Sequence, residues 1–251
     1  MDQARQPGEY IDSMFRQLLE GLSLRMPSQC AVCHAWPAQP VCDDCVERFA
    51  QPVARCSTCA MPLASGTAQC GACIREPPPL DGCVAAVTYG YPWSRLVVDY
   101  KFRDRAGWAA SLATVMRSAP WMEPALETAD IVVPMPLAPL RLRERGFNQA
   151  LQLARHLAPE KTDATLLLRI RDTAPMTALH RAERIANVRH AFAVEPLRDR
   201  VPAGKRLVLV DDVMTSGASL HAAARVLRAA GAVHITALVL ARADLAAGSH
   251  P

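Results

Sequence analysis

Leu207–Gly217 reads LVLVDDVMTSG: four apolar residues, two adjacent acids, two more apolar residues and a small polar turn. Leu207–Val210 has the composition of a buried parallel strand, and the pair Asp211 and Asp212 falls where that strand should end. A plain strand-to-helix connection needs one polar cap, not two acids followed by Thr215, Ser216, Gly217, Ala218 and Ser219. A helix that opens on small residues and hydroxyls presents free amides to an anion, and Gly217 lets the backbone approach it closely. Two carboxylates would repel a phosphate, so they must face something else. A sugar diol suits them, since a carboxylate accepts hydrogen bonds from both hydroxyls. The stretch therefore reads as a cradle for a ribose 5-phosphate at the carboxyl edge of a parallel sheet.

The surrounding chain supports such a sheet. Strand patterns at CVAAVTYGY (83–91), ADIVVPMP (129–136), ATLLLRI (164–170), GKRLVLVDDV (204–213) and VHITALVLAR (233–242) alternate with helical patterns. The helical stretches are WSRLVVDYKF (93–102), AGWAASLATVMRSA (106–119), RGFNQALQLARHLA (145–158), most of 177–192, and TSGASLHAAARVLRAAG (215–231). The fold class is α/β, a mostly parallel sheet covered on both faces, over residues 82–245. A short amphipathic helix is expected within residues 1–27.

Between these lies a different kind of segment. Residues 28–76 hold eight of the nine cysteines, paired as Cys30/Cys33, Cys42/Cys45, Cys56/Cys59 and Cys70/Cys73. Each pair is C-x2-C, which lets two thiolates of one turn reach one metal. The first pair recurs 26 residues on and the second 28, so the segment is two copies of one unit. Consecutive pairing gives two structural zinc sites of four thiolates each, a double zinc ribbon; the spacing alone also admits interleaved pairing. So short a segment rarely folds on its own apolar surface, and structural zinc supplies about 10 kcal/mol per site. Four thiolates leave no position for a catalytic water. His34 stands beside Cys33 as a spare ligand, Cys83 reads as a small buried apolar residue, and IREPPPLDG (74–82) is a stiff linker.

The 251 residues carry a formal charge of +4, mildly basic and compatible with an anionic ligand. No apolar run is long enough to span a membrane, and MDQARQPGEY has no apolar signal core, which predicts a cytoplasmic protein.

From Leu207 to Ser219 the sequence resembles the phosphoribosyl-pyrophosphate (PRPP) motif of type I phosphoribosyltransferases. The double C-x2-C repeat, VDYKFRDR (98–105), VVPMPLAPLRLRERGFNQA (132–150) and RDTAPMTALHRAERIANVRHAF (171–192) extend the resemblance to the ComF family, over nearly the whole chain. That resemblance implies a type I phosphoribosyltransferase-like domain preceded by a small zinc-ribbon module. It implies PRPP bound with Mg2+ by Val210, Asp211, Asp212, Val213, Met214, Thr215, Ser216, Gly217, Ala218 and Ser219, with Asp211 and Asp212 the catalytic pair.

Lys101, Arg145, Gly146, Arg181 and Arg184 are the candidates for holding pyrophosphate or closing over it, with Asn148, Gln149 and Asn187 beside them. The arginines around 141–145 equally fit a solvated helix start, and those of 169–189 a basic face. Met176 and Ala178 stand where relatives carry glutamine and glycine, a departure in the loop segment. His180, His190, His221 and His234 form no spaced constellation.

Two functional readings follow. In one, the chain binds PRPP and single-stranded DNA and serves DNA uptake in natural transformation, with a DNA-uptake helicase or recombination proteins as partners. In the other, it transfers the phosphoribosyl group to an acceptor that no segment of the sequence announces.

Overall fold

The computed structural model describes residues 28–64, 66–102, 106–171 and 190–243. The expected N-terminal helix, Met176, Ala178, His180, Arg181, Arg184, Asn187 and Arg189 lie outside them. The chain divides into two compact units after Cys42. In the larger one, four strands form a wholly parallel sheet: β1 (Gly82–Thr88), β2 (Ile131–Pro134), β5 (Arg206–Met214) and β6 (His234–Arg242). Their spatial order is β1-β6-β5-β2. The apolar strands bury side chains on both faces. Val133, Leu207, Leu209, Ile235, Ala237 and Val239 meet Ala223 and Leu227 of helix α8 (Ala218–Ala229) in one cluster. Alternate positions such as Val132, Val208, Val210 and Leu238 are equally buried, as two-residue alternation requires when helices cover both sides.

Among the described residues, the other α-helices of this unit are α1 (Asp43–Phe49), α2 (Gly71–Arg75), α3 (Trp93–Phe102), α4 (Ala109–Arg117), α5 (Met122–Thr128), α6 (Pro139–Arg145) and α7 (Gln149–Leu157). Three outcomes bear on the sequence reading. The segment around 164–170 contributes β3 (Leu167–Arg169), which pairs antiparallel with β4 (Phe192–Val194) in a separate two-stranded sheet rather than joining the parallel one. The arginines around 141–145, which also fitted a helix start, do lie on a helix, α6: Pro139 sits in its first turn, where a missing N–H costs nothing, and Gly146 ends it with φ of 74°. Strand β5 continues through Met214, so the acid pair lies within it rather than after it.

The second cysteine unit is built into the sheet's core. Cys56, Cys59, Ala60 and Cys73 belong to the same apolar cluster as the strands. The Cys83 amide donates to the Ser57 carbonyl at 2.8 Å on the outer side of β1. Cys83 itself is buried, and burial pushes its thiol up to about 12, as expected of a small apolar residue. Among the described residues no helix is long and apolar enough to cross a membrane.

Leu209 is fully buried in the central strand, whereas Leu197 is 94% exposed. Leu209→Ala should lower stability by about 2–5 kcal/mol. Leu197→Ala should stay within about 0.5 kcal/mol, both read from urea unfolding.

Candidate functional site

The phosphate-loop candidates lie where β5 outlasts one neighbour. Strand β2 pairs with β5 only up to Pro134 opposite Val210, while β6 continues to Arg242 opposite Met214. From Asp211 onward β5 therefore keeps a strand on one side only. Past Met214 the chain turns through Thr215 and Ser216 into Gly217, the N-cap of α8, at φ of 77°. A Cβ there would stand 2.5 Å from Met214 Cε and 2.9 Å from His221 Nε2, so both side chains would have to shift, and the left-handed φ strains any other residue. The Ser216 hydroxyl accepts from the Ala218 amide at 3.4 Å.

The two acids occupy different environments, because adjacent strand residues point to opposite faces. Asp212 is buried, 6% exposed, and its Oδ2 lies 2.9 Å from Lys101 Nζ at the end of α3. Asp211 is half-buried and accepts the Asp212 amide on Oδ1 at 2.9 Å. Burial, then the charge of Asp212, push the Asp211 carboxyl up to about 7, against the opposing pull of Lys101 and Arg169.

Beside the acids stands Arg145, the last residue of α6. Its guanidinium rests over the Phe102 ring, 4.9 Å from the centroid, and Nη1 donates to Gln149 Oε1 at 3.1 Å. Burial lowers its pKa, and the charges of Asp212 and Asp211 act in the opposite direction. Gln149 is buried, accepts the Tyr100 hydroxyl on its carbonyl at 3.1 Å, and its Nε2 finds no acceptor among the described residues. Asn148 is committed to the fold: Oδ1 caps α7 by accepting from the Leu151 amide, and Nδ2 donates to the Met135 carbonyl. Gly146 has open space around its Cα and serves as the left-handed end of α6. The structure thus brings Lys101, Arg145, Asp211, Asp212 and the Thr215–Ser219 turn to one edge of the sheet, while Arg181 and Arg184 fall outside the described residues.

The cysteines group consecutively, not interleaved. The sulfurs of Cys30, Cys33, Cys42 and Cys45 lie within 4.8 Å of one another, as do those of Cys56, Cys59, Cys70 and Cys73. Neighbouring sulfurs at 3.6 Å (Cys33–Cys42) and 3.7 Å (Cys59–Cys70) match the edge of about 3.8 Å that tetrahedral Zn–S bonds of about 2.3 Å require. The two knuckles repeat each other bond for bond. Cys42 N donates to Cys30 Sγ at 3.5 Å, and Cys70 N to Cys56 Sγ at 3.3 Å. Burial raises both accepting thiols, but the amide hydrogen bonds outweigh it and bring Cys30 to about 6 and Cys56 to about 7. His34 is not among the four; it fills the left-handed position of its knuckle, as Ala60 does in the other.

Arg242 went unnoticed in the sequence. It ends β6, is 4% exposed, and donates to the carbonyls of Cys59, Met214 and Thr215. The available signal was a lone charge closing an apolar strand, VHITALVLAR.

A family model described as the phosphoribosyl transferase domain matches residues 142–249. The chain is 32% identical over 229 residues to the DNA utilization protein YhgH of Salmonella typhimurium, covering 87% of this chain and 99% of that protein. It is 29% identical over 197 residues to competence protein F of Haemophilus influenzae, covering 75% and 84% of the two chains. With competence protein ComFC of Streptococcus pneumoniae it shares 31% over 110 residues, 44% of this chain and 47% of that one.

Gly217→Ala forces a left-handed alanine against Met214 and His221. It should cost about 1–3 kcal/mol in urea unfolding and shift the amide resonances of Thr215–Ser219 while leaving those of β1 in place.

Proposed function

The chain belongs to the ComF family, proteins with a phosphoribosyltransferase-like domain and cysteine clusters, and from that premise we propose that it binds PRPP with Mg2+ at the carboxyl edge of β5. The observation that carries the reading is the Gly217 turn, which aims the α8 amides past Thr215 and Ser216 beside two carboxylates that a bare phosphate would avoid. In this reading the turn takes the 5-phosphate, and Asp211 and Asp212 take the ribose 2- and 3-hydroxyls. Arg145 and Lys101 supply cations on the pyrophosphate side. Magnesium, entering with PRPP, neutralises its diphosphate.

We further propose a role in handling DNA, by analogy with its relatives, which are named DNA utilization and competence proteins. Single-stranded DNA is the proposed partner. Helix α6 offers Arg141, Arg143 and Arg145 along one short segment, and the Phe102 ring beneath Arg145 is 65% exposed, a combination of cations and aromatic surface suited to unpaired strands. A DNA-uptake helicase or recombination protein and a cytoplasmic setting complete the proposal. The second reading, pentosyl transfer with a base nitrogen displacing pyrophosphate at the anomeric carbon, draws on the same intact acid pair.

Calorimetric titration of PRPP and Mg2+ into zinc-replete protein should show saturable binding that Asp211→Asn/Asp212→Asn reduces at least about tenfold, the scale of losing charge-assisted hydrogen bonds. Absence of binding by the parent overturns the proposal. Pyrophosphate release on adding nucleobases identifies a transferase. Salt-sensitive single-stranded DNA binding without release identifies a binding protein.

Asp211 also sets a pH dependence. Its carboxyl, near 3.8 when unfolded, sits at about 7 in the folded chain, so the folded state holds that proton more tightly. Its contribution to stability is fully present below the unfolded value and is lost as pH rises through about 7. Hydroxyl binding needs the ionised form, so PRPP affinity should climb between about pH 6 and pH 8, and more steeply in the parent than in Asp211→Asn.

A further inference from the structure

Arg242 joins two parts of the molecule that the functional reading treats separately. Its Nε donates to the carbonyl of Cys59, inside the second C-x2-C knuckle, at 2.8 Å. Its Nη1 faces the carbonyls of Met214 at 3.0 Å and Thr215 at 2.5 Å, where β5 turns into the phosphate loop, and that of Ala243. One planar group is thereby fixed at one edge to the metal knuckle and at the other to the loop. A second guanidinium stands close: Arg55 donates to the Ala60 carbonyl at 3.1 Å and to Thr88 Oγ1 at 3.0 Å. Burial, then the charge of Arg242, lower the pKa of Arg55.

Neither arginine pairs with a carboxylate among the described residues. A buried cation without a counter-charge is costly. Four thiolates around a divalent zinc leave a net charge of about −2, and the second cluster lies behind the knuckle that both arginines touch. The filled cluster supplies the missing negative charge, in the amount that two guanidinium groups balance.

We propose that Arg242 is a positioning residue that holds the Met214–Thr215 turn against the second thiolate cluster, so that the phosphate loop keeps its shape only while Cys56, Cys59, Cys70 and Cys73 hold their metal. Among the described residues Arg242 donates to no carbonyl of the first cluster, so the proposal assigns that cluster's metal no part in the loop. The inference concerns the shape of the loop whatever anion it takes, so it can fail while the PRPP reading stands, and the reverse.

The test uses the full-length chain without PRPP and reads amide hydrogen exchange over 211–219, with Leu207–Val210 as the internal reference for an intact sheet. Chelating zinc should speed exchange over 211–219 at least about tenfold while the reference stays protected, the effect of losing a hydrogen bond to a charged group. Arg242→Gln should do the same with zinc present. Arg242→Lys keeps the charge but not the two-edged geometry: it should retain zinc against chelator like the parent, yet show the faster loop exchange. Cys33→Ser, which breaks only the first cluster, should leave 211–219 unchanged. Unchanged loop exchange on chelation, or equal loosening by Cys33→Ser, overturns the proposal. Should Arg242→Gln fail to fold, chelation of the parent and Arg242→Lys decide it alone. A parallel PRPP titration of the zinc-replete parent reports separately on the ligand.

Discussion

The site depends on a mismatch in strand length. Strand β5 can hydrogen-bond on both sides only as far as its neighbours extend. On the β2 side the last bond runs from the Met135 amide to the Val210 carbonyl at 2.9 Å; on the β6 side pairing continues until the Ala243 amide reaches the Met214 carbonyl at 2.9 Å. Four residues, Asp211–Met214, therefore project beyond β2 while still held straight by β6. A strand anchored on one side and open on the other can present polar side chains at the sheet's edge without losing its direction. Two acids sit there because the backbone beneath them is fixed, and the Gly217 turn follows because the chain must reverse within three residues into α8.

The same economy of surface explains why the second cysteine unit cannot be regarded as an appendage. Its thiols contribute apolar surface to the sheet's core and its carbonyls receive Arg55 and Arg242. A small metal module is stabilised by its ion, and under the proposal above a filled cluster would also complement the charge of the buried Arg242 and the partly buried Arg55. Packing and electrostatics thus place the cluster and the loop against the same end of β6.

Much of this was legible in the residues. The period of the strands, the C-x2-C spacing and the acid pair before a small-residue turn each encode a local constraint that neighbours cannot easily override. What escaped were features decided by competition. The arginines of PLRLRER could belong to an anion-holding loop or to a solvated helix start; Pro139 and Gly146 settle the helix only once β2 is known to stop at Pro134. LLR carries a strand's composition, but which partner it takes depends on which edges are already filled. Asn148 looked like a ligand for an anion, yet the need to cap α7 claims both ends of its amide. Arg242 was invisible because its partners are backbone carbonyls, which leave no mark in a side-chain pattern.

The charges at the site show how the ligand-free edge is held. Asp212 lies against Lys101, while Asp211, with no side-chain cation bonded to it in the described residues, holds its proton up to about neutral pH. Arg145 is occupied by Phe102 and Gln149. Part of the charge at the edge is therefore compensated within the protein before anything binds. A phosphorylated sugar arriving alone would find few uncommitted cations and two acids. Under the PRPP reading, its hydroxyls give Asp211 the donors that let it ionise, and Lys101 can turn from Asp212 toward the diphosphate. On that reading a divalent ion bound with the ligand would supply further positive charge.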